Sequence, residues 1–395
     1  MHIPGSSWIE LNRPALVSNL RFLRQSLGPR VRFTSVIKAN AYGHGIAEFL
    51  PMAEAAGVDF FWTFNAAEAS AALAARTRAQ TRFGILGDVP SEALEWALHN
   101  GIELYVFDPS RLEQVIEWTR RTQQPARVHI EFETGLHRTG FTAADLPRIA
   151  KMVEDAPPGF TIQGFCTHLA GAESFANEHR IRHQMVRFEA LAQSAGGLGL
   201  QAESRHAACS AAIFNFPSSR LDLVRCGIAQ FGFWPSNETW VAWLRERPDR
   251  AGKPSPLRRV LSWKSRVLHV AALPFGEWVG YGHTFQAQRD MALAIVPVGY
   301  SAGFPRSQGG RGQVLIGGTS CPVIGTVNMN MLAVDITETE GVQPGDEVVL
   351  IGHQGDREIS VGAFSERTKA FNYETLVRLD AGLERRVIEQ SLAVV

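Results

Sequence analysis

The sequence predicts a (β/α)8 barrel, or TIM barrel, followed by a mostly β C-terminal domain. Between residues 31 and 227, short apolar runs rich in Val, Ile and Phe alternate with segments of helical periodicity. After residue 258 this alternation stops, and the apolar runs are separated by Gly-rich turns instead. The chain has 395 residues, 45% of them hydrophobic, so it can bury two cores and is too long for one ordinary domain.

Eight apolar runs make up the barrel part of the prediction. Parallel strands must be joined by crossovers, so a strand and a helix repeated eight times is typical of a closed barrel. The segment 177–196 is one such helix, because Ile181, Met185, Phe188 and Leu191 recur on a single face. The runs are 31–38, 58–64, 81–87, 102–107, 127–133, 161–168, 204–208 and 221–225.

The segment 234–258 mixes Trp, Pro and charged residues without a strand pattern, which indicates a linker or an insertion. Beyond it, the apolar runs and their turns predict a mostly antiparallel sheet. We therefore expect a barrel domain at 9–240 and a C-terminal β domain at 258–395. The C-terminal runs are 260–270, 291–298, 313–316, 321–327 and 347–351.

Charge balance and cysteine usage exclude several classes of partner. The chain has 39 basic and 39 acidic residues, so no net field attracts nucleic acid or an anionic membrane, and a small-molecule substrate is expected. The 4 cysteines form neither a C-x-x-C pair nor a zinc-spaced cluster, which predicts no disulfide framework and no metal site. The N-terminus lacks a signal-peptide pattern and no apolar run reaches membrane length, so we expect a cytoplasmic protein.

Lysine and tyrosine are both rare in this chain. There are 34 arginines beside 5 lysines, and 23 phenylalanines beside 5 tyrosines. A sequence that largely avoids ammonium groups and phenols is expected to keep the remaining ones where their chemistry is used.

Side chains with chemical function follow the predicted strands at one end. Active sites of (β/α)8 barrels lie at the carboxyl ends of the strands, so these side chains are expected to surround one site. They are Lys38 after the first strand, Arg138 after the fifth, His168 after the sixth, His206 and Ser210 after the seventh, and Arg225 and Gly227 after the eighth.

Lys38 closes the first strand, where burial of an ammonium group is costly unless the group is paired or covalently used. A Schiff-base lysine is one explanation, and an ion-pair partner is the other. The context Lys-Ala-Asn-Ala-Tyr-Gly-His-Gly at 38–45 favours the covalent role, because its two glycines let the backbone approach an anion.

A phosphate site is predicted after the last two strands. Barrels of this type often bind phosphate there through backbone N–H groups at a helix start. Ser210 offers a hydroxyl, and Gly227 and Ile228 offer N–H groups. Taken singly, Ser210 could equally be a helix N-cap and Gly227 a turn residue.

Ten segments in order give the chain a resemblance to bacterial alanine racemases over essentially its whole length. Four of the five tyrosines lie in these segments. The segments are VIKANAYGHG (36–45), TGLHRTGF (134–141), THLAGAE (167–173), HAACSAA (206–212), DLVRCGIAQFG (222–232), VGYGHTF (279–285), VPVGYSAGFPR (296–306), GTVNMNM (325–331), GDEVVLIG (345–352) and FNYE (371–374).

The resemblance implies a fold-type III pyridoxal 5'-phosphate enzyme that acts as a head-to-tail homodimer. Lys38 would form the Schiff base with the cofactor, and Arg138 would contact the cofactor's phenolic oxygen. Arg225 would contact the pyridine nitrogen and leave it without a full proton, which would restrain side reactions such as transamination. The other cofactor-binding residues implied are Tyr42, His206, Ser210, Gly227, Ile228 and Tyr373.

The implied reaction is the interconversion of L- and D-alanine, which supplies D-alanine for peptidoglycan. An α-proton leaves one face and returns on the other, so two bases must flank a cofactor that absorbs negative charge. Lys38 and Tyr281 of the partner subunit would be these bases, with lowered pKa values. His168, hydrogen-bonded to Tyr281, and Arg225 complete the implied catalytic set. The implied substrate contacts are Arg138, Tyr281, Glu131, Tyr300 and the backbone of Met329.

Several positions depart from the family pattern. Glu131 stands where the family commonly has a lysine, often carbamylated, and could orient Arg138 by an ion pair or could simply face solvent. The other departures surround the expected entrance and side-chain pocket. They are Cys209 for Asn, Gly280 for Ser, Ser301-Ala302 for Ala-Asp, Asn328 for Cys and Asn330 for Asp.

Four other functions compete with alanine racemase. A serine or broad-specificity racemase would keep the chemistry and change the substrate. A decarboxylase of basic amino acids would need a Cys-Asp pair that the C-terminal half lacks. A non-catalytic cofactor-binding regulator would lack residues 260–395, and a dinucleotide-dependent dehydrogenase would need a G-x-G-x-x-G motif after a strand.

Overall fold

The computed structural model describes residues 5–366 and 371–389, which divide into two compact units. The barrel unit comprises residues 16–39 and 50–258. The β unit comprises the residues up to 15, residues 40–49 and the residues from 259 onward.

The elements alternate along the barrel unit and are mainly strands afterwards. The strands are β1 (Ser7–Asn12), β2 (Arg32–Val36), β3 (Phe60–Thr63), β4 (Arg82–Ile85), β5 (Glu103–Val106), β6 (Ala126–Glu131), β7 (Phe160–Cys166), β8 (Arg205–His206), β9 (Leu223–Cys226), β10 (Leu261–Arg266), β11 (His269–Leu273), β12 (Met291–Val296), β13 (Gln313–Ile316), β14 (Thr319–Ile324), β15 (Leu332–Asp335), β16 (Glu347–Gln354), β17 (Arg357–Ile359) and β18 (Glu384–Ile388). The α-helices are α1 (Arg13–Leu27), α2 (Lys38–Tyr42), α3 (Ile46–Ala55), α4 (Ala66–Ala75), α5 (Ser91–His99), α6 (Pro109–Thr122), α7 (Leu146–Glu154), α8 (Glu178–Gly197), α9 (Ser210–Asn215), α10 (Asn237–Arg245), α11 (Val361–Glu366) and α12 (Asn372–Val377).

Strands β2 to β9 form a nearly closed barrel in which the neighbouring strands are parallel. Their order is β8-β7-β6-β5-β4-β3-β2-β9, and β8 and β9 meet at a seam that a bridge from Cys209 to Arg225 helps to close. Each of the eight predicted runs overlaps one of these strands. The barrel prediction is therefore confirmed.

Local sequence explains how the barrel's elements begin and where they bury their side chains. Asn65 and Asp108 cap α4 and α6, because each side chain accepts a hydrogen bond from a backbone N–H in the first turn. Every residue of β3 is buried, as expected for a parallel strand covered by helices on one face and by the barrel interior on the other. The predicted helix at 177–196 is observed as α8.

The β unit is a mostly antiparallel sheet, as predicted, with the order β11-β12-β15-β14-β13-β16-β10-β1-β18. Strand β1 belongs to this sheet, pairing antiparallel with β10 and parallel with β18. The expected barrel boundary at residue 9 therefore misplaced this strand, because its partners lie more than 240 residues away in the sequence.

The 234–258 segment contains a helix, α10, rather than irregular chain alone. Its Trp240 and Trp243 rings stack with centroids 5.4 Å apart, and Trp234 and Phe214 pack beside them at 4.8 Å from each other. This segment therefore caps a side of the barrel unit with aromatic rings. Within 5–366 and 371–389, no helix is long and apolar enough to cross a membrane.

Candidate active site

The chain turns left-handed directly after the first barrel strand. Lys38 begins α2, and the four residues from Ala39 to Tyr42 have φ between 51° and 54°, followed by Gly43 at 78°. Such a conformation costs about 1–2 kcal/mol for each residue that carries a Cβ. Strained backbone of this kind is concentrated at functional sites. The Ala39 N–H donates to the Glu68 carboxylate at 2.6 Å, which helps to hold the start of this turn.

Lys38 has an amine whose proton affinity is reduced. Desolvation by the surrounding protein lowers its pKa most, and the positive charge of Arg138 lowers the pKa further, with a smaller contribution from Arg225. The negative charge of Glu68 and the nearby thiol of Cys209 partly oppose this shift of the Lys38 pKa. A larger share of neutral, nucleophilic amine is the consequence.

Arg225 is almost fully buried at the end of β9, and it makes four hydrogen bonds through its two terminal nitrogens. Nη1 contacts His206 Nδ1 at 2.7 Å and donates to the His206 carbonyl at 3.1 Å. Nη2 donates to the carbonyls of Thr167 and Ala207 at 2.7 and 3.0 Å. A guanidinium has five donors, and no hydrogen bond to any residue described engages Nε, so Arg225 keeps one donor for a ligand.

A chain of buried polar side chains extends from Arg225 through the barrel interior. His206 Nε2 lies 2.9 Å from His129 Nδ1, and His129 Nε2 lies 2.8 Å from Glu103 Oε2. At the end of this chain, the half-buried Arg82 donates from Nε to Glu103 Oε1 at 2.6 Å. Sequence reasoning selected His206 and Arg225 but missed the other three. The available signal was a titratable residue inside an apolar run, as in IELYVF for Glu103.

The predicted phosphate-binding residues come together after the last two strands. The Ser210 hydroxyl accepts from the N–H groups of Gly227 at 2.9 Å and Ala229 at 3.4 Å. Ile228, the first residue of a short 3-10 turn, lies between these two and is buried. This arrangement gathers a hydroxyl and backbone N–H groups, the donors that a phosphate requires.

Glu131 and Arg138 lie near each other but are not tightly paired. Arg138 Nη2 is 4.0 Å from Glu131 Oε1, whereas the Thr139 hydroxyl donates to Glu131 Oε2 at 2.7 Å. The Glu131 side chain is buried and that of Arg138 is exposed. Burial raises the pKa of Glu131, and the hydrogen bond from Thr139 and the charge of Arg138 only partly offset this. The expected orientation of Arg138 by Glu131 stays a prediction.

His168 follows β7 and carries a neutral imidazole at neutral pH. Burial lowers its pKa to about 3, and the charges of Arg225, Arg138 and Lys38 contribute in the same direction. Its backbone carbonyl accepts from the Gln184 side chain at 3.0 Å, which fixes the segment after the strand. His168 can therefore accept or donate one hydrogen bond but does not act as a cation.

In the β unit, Tyr42 and Tyr373 lie together, with ring centroids 6.1 Å apart. The backbone packs closely beside them, because a Cβ on Gly43 would meet the Leu376 carbonyl oxygen at 2.0 Å. The Gly43 carbonyl also accepts from Arg385 at 3.0 Å. The two phenols assigned to phosphate by resemblance are thus brought together by the fold of this unit.

The remaining predicted residues of the β unit are exposed. Tyr281 lies in a turn between Gly280 and Gly282, both with positive φ, and is 75% exposed. Met329 and Tyr300 are exposed as well, and the Tyr300 N–H donates to a carbonyl in the 328–330 segment at 3.1 Å.

Two departures from the family pattern contact each other in the same region. The Ser301 hydroxyl contacts Asn330 Oδ1 at 2.7 Å and the Met329 carbonyl at 2.8 Å. A hydroxyl and an amide thus occupy positions where the family usually has alanine and aspartate. The pair explains how the 328–330 segment is held without an acidic residue at 330.

Comparison with protein families matches both parts of the chain. The family described as "Alanine racemase, N-terminal domain" matches residues 11–235, and the one described as "Alanine racemase, C-terminal domain" matches residues 260–387.

Relatives of similar length carry the same name. An alanine racemase of Leptospira interrogans is 31% identical over 386 residues, covering 97% of this chain and 96% of the relative. An alanine racemase of Symbiobacterium thermophilum is 33% identical over 381 residues, covering 96% of both chains.

Solved structures show the same architecture. Alanine racemase from Clostridium difficile 630 superposes with a TM-score of 0.88 at 27% identity, covering 98% of this chain and 97% of that one. The enzyme from Bartonella henselae, solved with covalently bound pyridoxal phosphate, has a TM-score of 0.82 at 26% identity, covering 98% and 100%. With both domain families matched and relatives above 30% identity over nearly the full length, the chain belongs to the alanine racemase family of isomerases.

Proposed function

We propose that this chain interconverts L- and D-alanine, with pyridoxal 5'-phosphate attached to Lys38 and with Tyr281 of the partner subunit as the second base. The observation that supports this most is the state of Lys38. Lys38 begins α2 directly after the first barrel strand, and its amine has a pKa lowered by desolvation and by the positive charges of Arg138 and Arg225. A neutral lysine amine is the nucleophile that an aldehyde cofactor requires.

The other donors of the barrel unit suit the same cofactor. We assign Ser210 and the backbone N–H groups of Gly227 and Ile228 to the phosphate, because phosphate oxygens accept hydrogen bonds and these groups lie together after the last two strands. The Nε–H of Arg225 suits an unprotonated pyridine nitrogen, because a guanidinium donates without releasing its proton. In the β unit, the hydroxyls of Tyr42 and Tyr373 are assigned to the phosphate by resemblance, and their rings lie side by side.

When bound, the cofactor supplies an electron sink for the α-carbon of the amino acid. The chain must then move protons on both faces of that carbon. We assign Lys38 to one face of that carbon and the phenol of Tyr281 to the other. The neutral ring of His168 would hold that phenol by a hydrogen bond without adding a charge.

Use of Tyr281 in trans requires a dimer. Within one chain the side chains of Tyr281, Tyr300 and Met329 are exposed, which is unusual for two aromatic rings and a methionine. Their exposure supports a head-to-tail homodimer in which each subunit completes the other's site.

Alanine is the proposed substrate because the relatives above carry that name. A serine or broad-specificity racemase is the competing proposal, since the Ser301–Asn330 contact changes the polar groups of the 328–330 segment. We further propose that the product D-alanine serves peptidoglycan synthesis and that the reaction takes place in the cytoplasm.

The test combines an assay with a label. Purified protein is expected to convert L- to D-alanine faster than serine, lysine, arginine or methionine, and to show the visible absorption of a lysine-bound cofactor. Borohydride reduction should remove that absorption and attach the cofactor permanently to its lysine. Peptide mapping should then find the cofactor on Lys38. Equal rates with all five amino acids would favour the broad-specificity racemase.

Lys264 is the matched control for the label. Lys264 is half-buried, but its hydrogen bonds to Glu347 and Glu10 overcome the effect of burial and raise its pKa. Lys264→Ala should keep the cofactor, whereas Lys38→Ala should lose it. A label on Lys264, or a Lys38→Ala protein that retains activity, would overturn the proposed function.

A further inference from the structure

Four buried side chains, which we call the imidazole relay, connect the Arg225 guanidinium to a carboxylate. They are Arg225, His206, His129 and Glu103, and their successive contacts are 2.7, 2.9 and 2.8 Å. All four are at most 5% exposed. Each contact joins two nitrogens or a nitrogen and an oxygen, so in each one group must donate and the other must accept.

The direction of these hydrogen bonds follows from the carboxylate end. Ionised Glu103 only accepts, so His129 must carry its proton on Nε2. Because its ring is neutral, His129 Nδ1 is then an acceptor, and His206 must donate to it from Nε2. His206 Nδ1 is therefore left with a lone pair.

The guanidinium end gives the same answer independently. Arg225 Nη1 can only donate, so His206 Nδ1 must accept. His206 then donates from Nε2 to His129 Nδ1, and His129 donates from Nε2 to Glu103. All three N–H bonds point from the guanidinium toward the carboxylate, and aligned hydrogen bonds of this kind strengthen one another.

We propose that Glu103 and His129 are positioning residues, which hold His206 in its Nε2–H form so that its Nδ1 lone pair fixes the Arg225 guanidinium. Fixed in this way, Arg225 presents Nε–H as its one remaining donor. The link from this donor to the pyridine nitrogen rests on the proposed function, but the arrangement of protons in the relay does not.

The ionisation states agree with this arrangement. Burial lowers the pKa of His129, and it lowers that of His206 further with help from the charge of Arg225, so both rings are neutral at neutral pH. Burial acts against ionised Glu103, but the hydrogen bonds and charges of His129 and Arg82 hold its pKa below the ordinary value. The relay thus contains a carboxylate and a guanidinium separated by two neutral rings.

The packing leaves little freedom for either ring to turn. A Cβ on Gly164 would lie 2.6 Å from His129 Nδ1 and 2.8 Å from His206 Nε2, so the contact between the rings occupies the space beside this glycine. The register of β6 and β7 shifts beside His129, as occurs at a β-bulge, which re-aims a side chain. The Trp62 ring packs edge-on against His129, with centroids 4.9 Å apart.

The first test reads the protons directly. Two-bond proton–nitrogen correlation spectra of the holoenzyme labelled with [15N]histidine distinguish the two neutral forms and the charged form of each ring. His129 and His206, assigned by loss of their signals in His129→Gln and His206→Gln proteins, should both be protonated at Nε2 alone. A proton on Nδ1 of either ring would overturn the proposal. Because the protons are read in the holoenzyme with Glu103 present, the result does not depend on whether Glu103→Gln folds.

The second test removes the carboxylate charge. Glu103→Gln should change the His206 ring signals and lower kcat about 10–100-fold, the size typical of losing one partner of an active-site group, with little change in KM. Glu54→Gln is the matched control, because Glu54 is an equally buried glutamate of the barrel unit whose carboxylate accepts hydrogen bonds from Thr77 and Thr81 and lies outside the relay.

The two tests separate the relay from the proposed function. Wild-type kcat in Glu103→Gln, or the same loss in Glu54→Gln, would overturn the positioning role of Glu103. Protein with both rings protonated at Nε2 but without racemase activity would leave the relay in place and reject the proposed function.

Discussion

The barrel unit and the β unit cover several of their candidate site residues to different extents. In the barrel unit, Arg225 and His206 are 5% and 0% exposed and are held by several hydrogen bonds. In the β unit, Tyr281 and Met329 are 75% and 56% exposed. Arg225 and His206 are therefore fixed by neighbours within one chain, whereas Tyr281 and Met329 have few neighbours within one chain and are open to solvent.

This difference indicates which substitutions can be rescued. A residue fixed inside the barrel unit acts with its neighbours of the same chain, so a second chain cannot replace it at that site. A displayed residue can act on another chain if the chains associate.

Mixing inactive variants has the largest expected effect. Lys38→Ala and Tyr281→Phe proteins should each be inactive, and equal amounts should recover about one quarter of wild-type activity, since half of randomly exchanged dimers are hybrids with one intact site of two. The measurement is alanine racemisation after exchange of subunits.

The control mixture pairs two changes within the barrel unit. Lys38→Ala mixed with Arg138→Gln should recover nothing, because every hybrid site lacks one of the two residues from the same chain. Recovery in both mixtures, or in neither, would contradict the use of Tyr281 in trans.

Gly43→Ala should have the next largest effect, because its Cβ would meet the Leu376 carbonyl oxygen at 2.0 Å and its φ is 78°. Displacing this backbone disturbs the neighbouring Tyr42, so cofactor affinity should fall on the order of 100-fold, equivalent to about 3 kcal/mol. The dissociation constant of pyridoxal phosphate, measured by titration of the cofactor-free chain, checks this.

Gly341→Ala separates the close approach from the backbone conformation. Gly341 has a similar φ of 73°, but a Cβ added there would meet no atom within 4 Å. It should cost only the strain of a left-handed residue, about 1 kcal/mol of unfolding free energy, with unchanged cofactor affinity. Equal effects in the two variants would show that close packing at Gly43 is unimportant.

The sequence predicted the features that depend on local pattern. Eight apolar runs were enough for the barrel, and the placement of Arg225 and Ser210 at strand ends followed from it. Strand β1 was misplaced because its pairing with β10 is non-local. The left-handed turn at 39–42 was not foreseen either, because Ala and Tyr have no preference for positive φ and only the folded environment can hold them there.

Glu103 and His129 show a second limit of sequence reasoning. Both lie within strands, where side chains usually fill the core, and only the structure reveals that they contact each other and His206. Glu131 shows the reverse case, since its departure from the family was evident at once. The distance between Glu131 Oε1 and Arg138 Nη2 is nevertheless 4.0 Å, which is longer than a hydrogen bond.

Glu103 and Glu131 are two buried carboxylates of the barrel unit whose pKa values are shifted in opposite directions. His129 and Arg82 hold the pKa of Glu103 down, whereas burial raises the pKa of Glu131. An acid whose pKa is raised by folding binds more protons in the folded chain. Glu131 therefore lowers stability as pH rises from the ordinary glutamate value through the raised one.

The smallest expected effect follows from this state of Glu131. Glu131→Gln keeps an acceptor for Thr139 but has no charge to bury, so its melting temperature relative to wild type should be higher at about pH 7 than at about pH 4, where Glu131 is already largely protonated. Any fixed cost of the amide cancels between the two pH values. Thermal unfolding of the cofactor-free chains measures the difference, with exposed Glu117→Gln as the background for losing one carboxylate.

If Glu131 also orients Arg138, the Glu131→Gln change should lower kcat/KM about 10–100-fold. A variant that is less stable at pH 7 than at pH 4, relative to wild type, would mean that Glu131 and Arg138 form a tight ion pair in solution. A variant with greater stability and unchanged kcat/KM would show that Glu131 is a buried charge with no part in orienting Arg138.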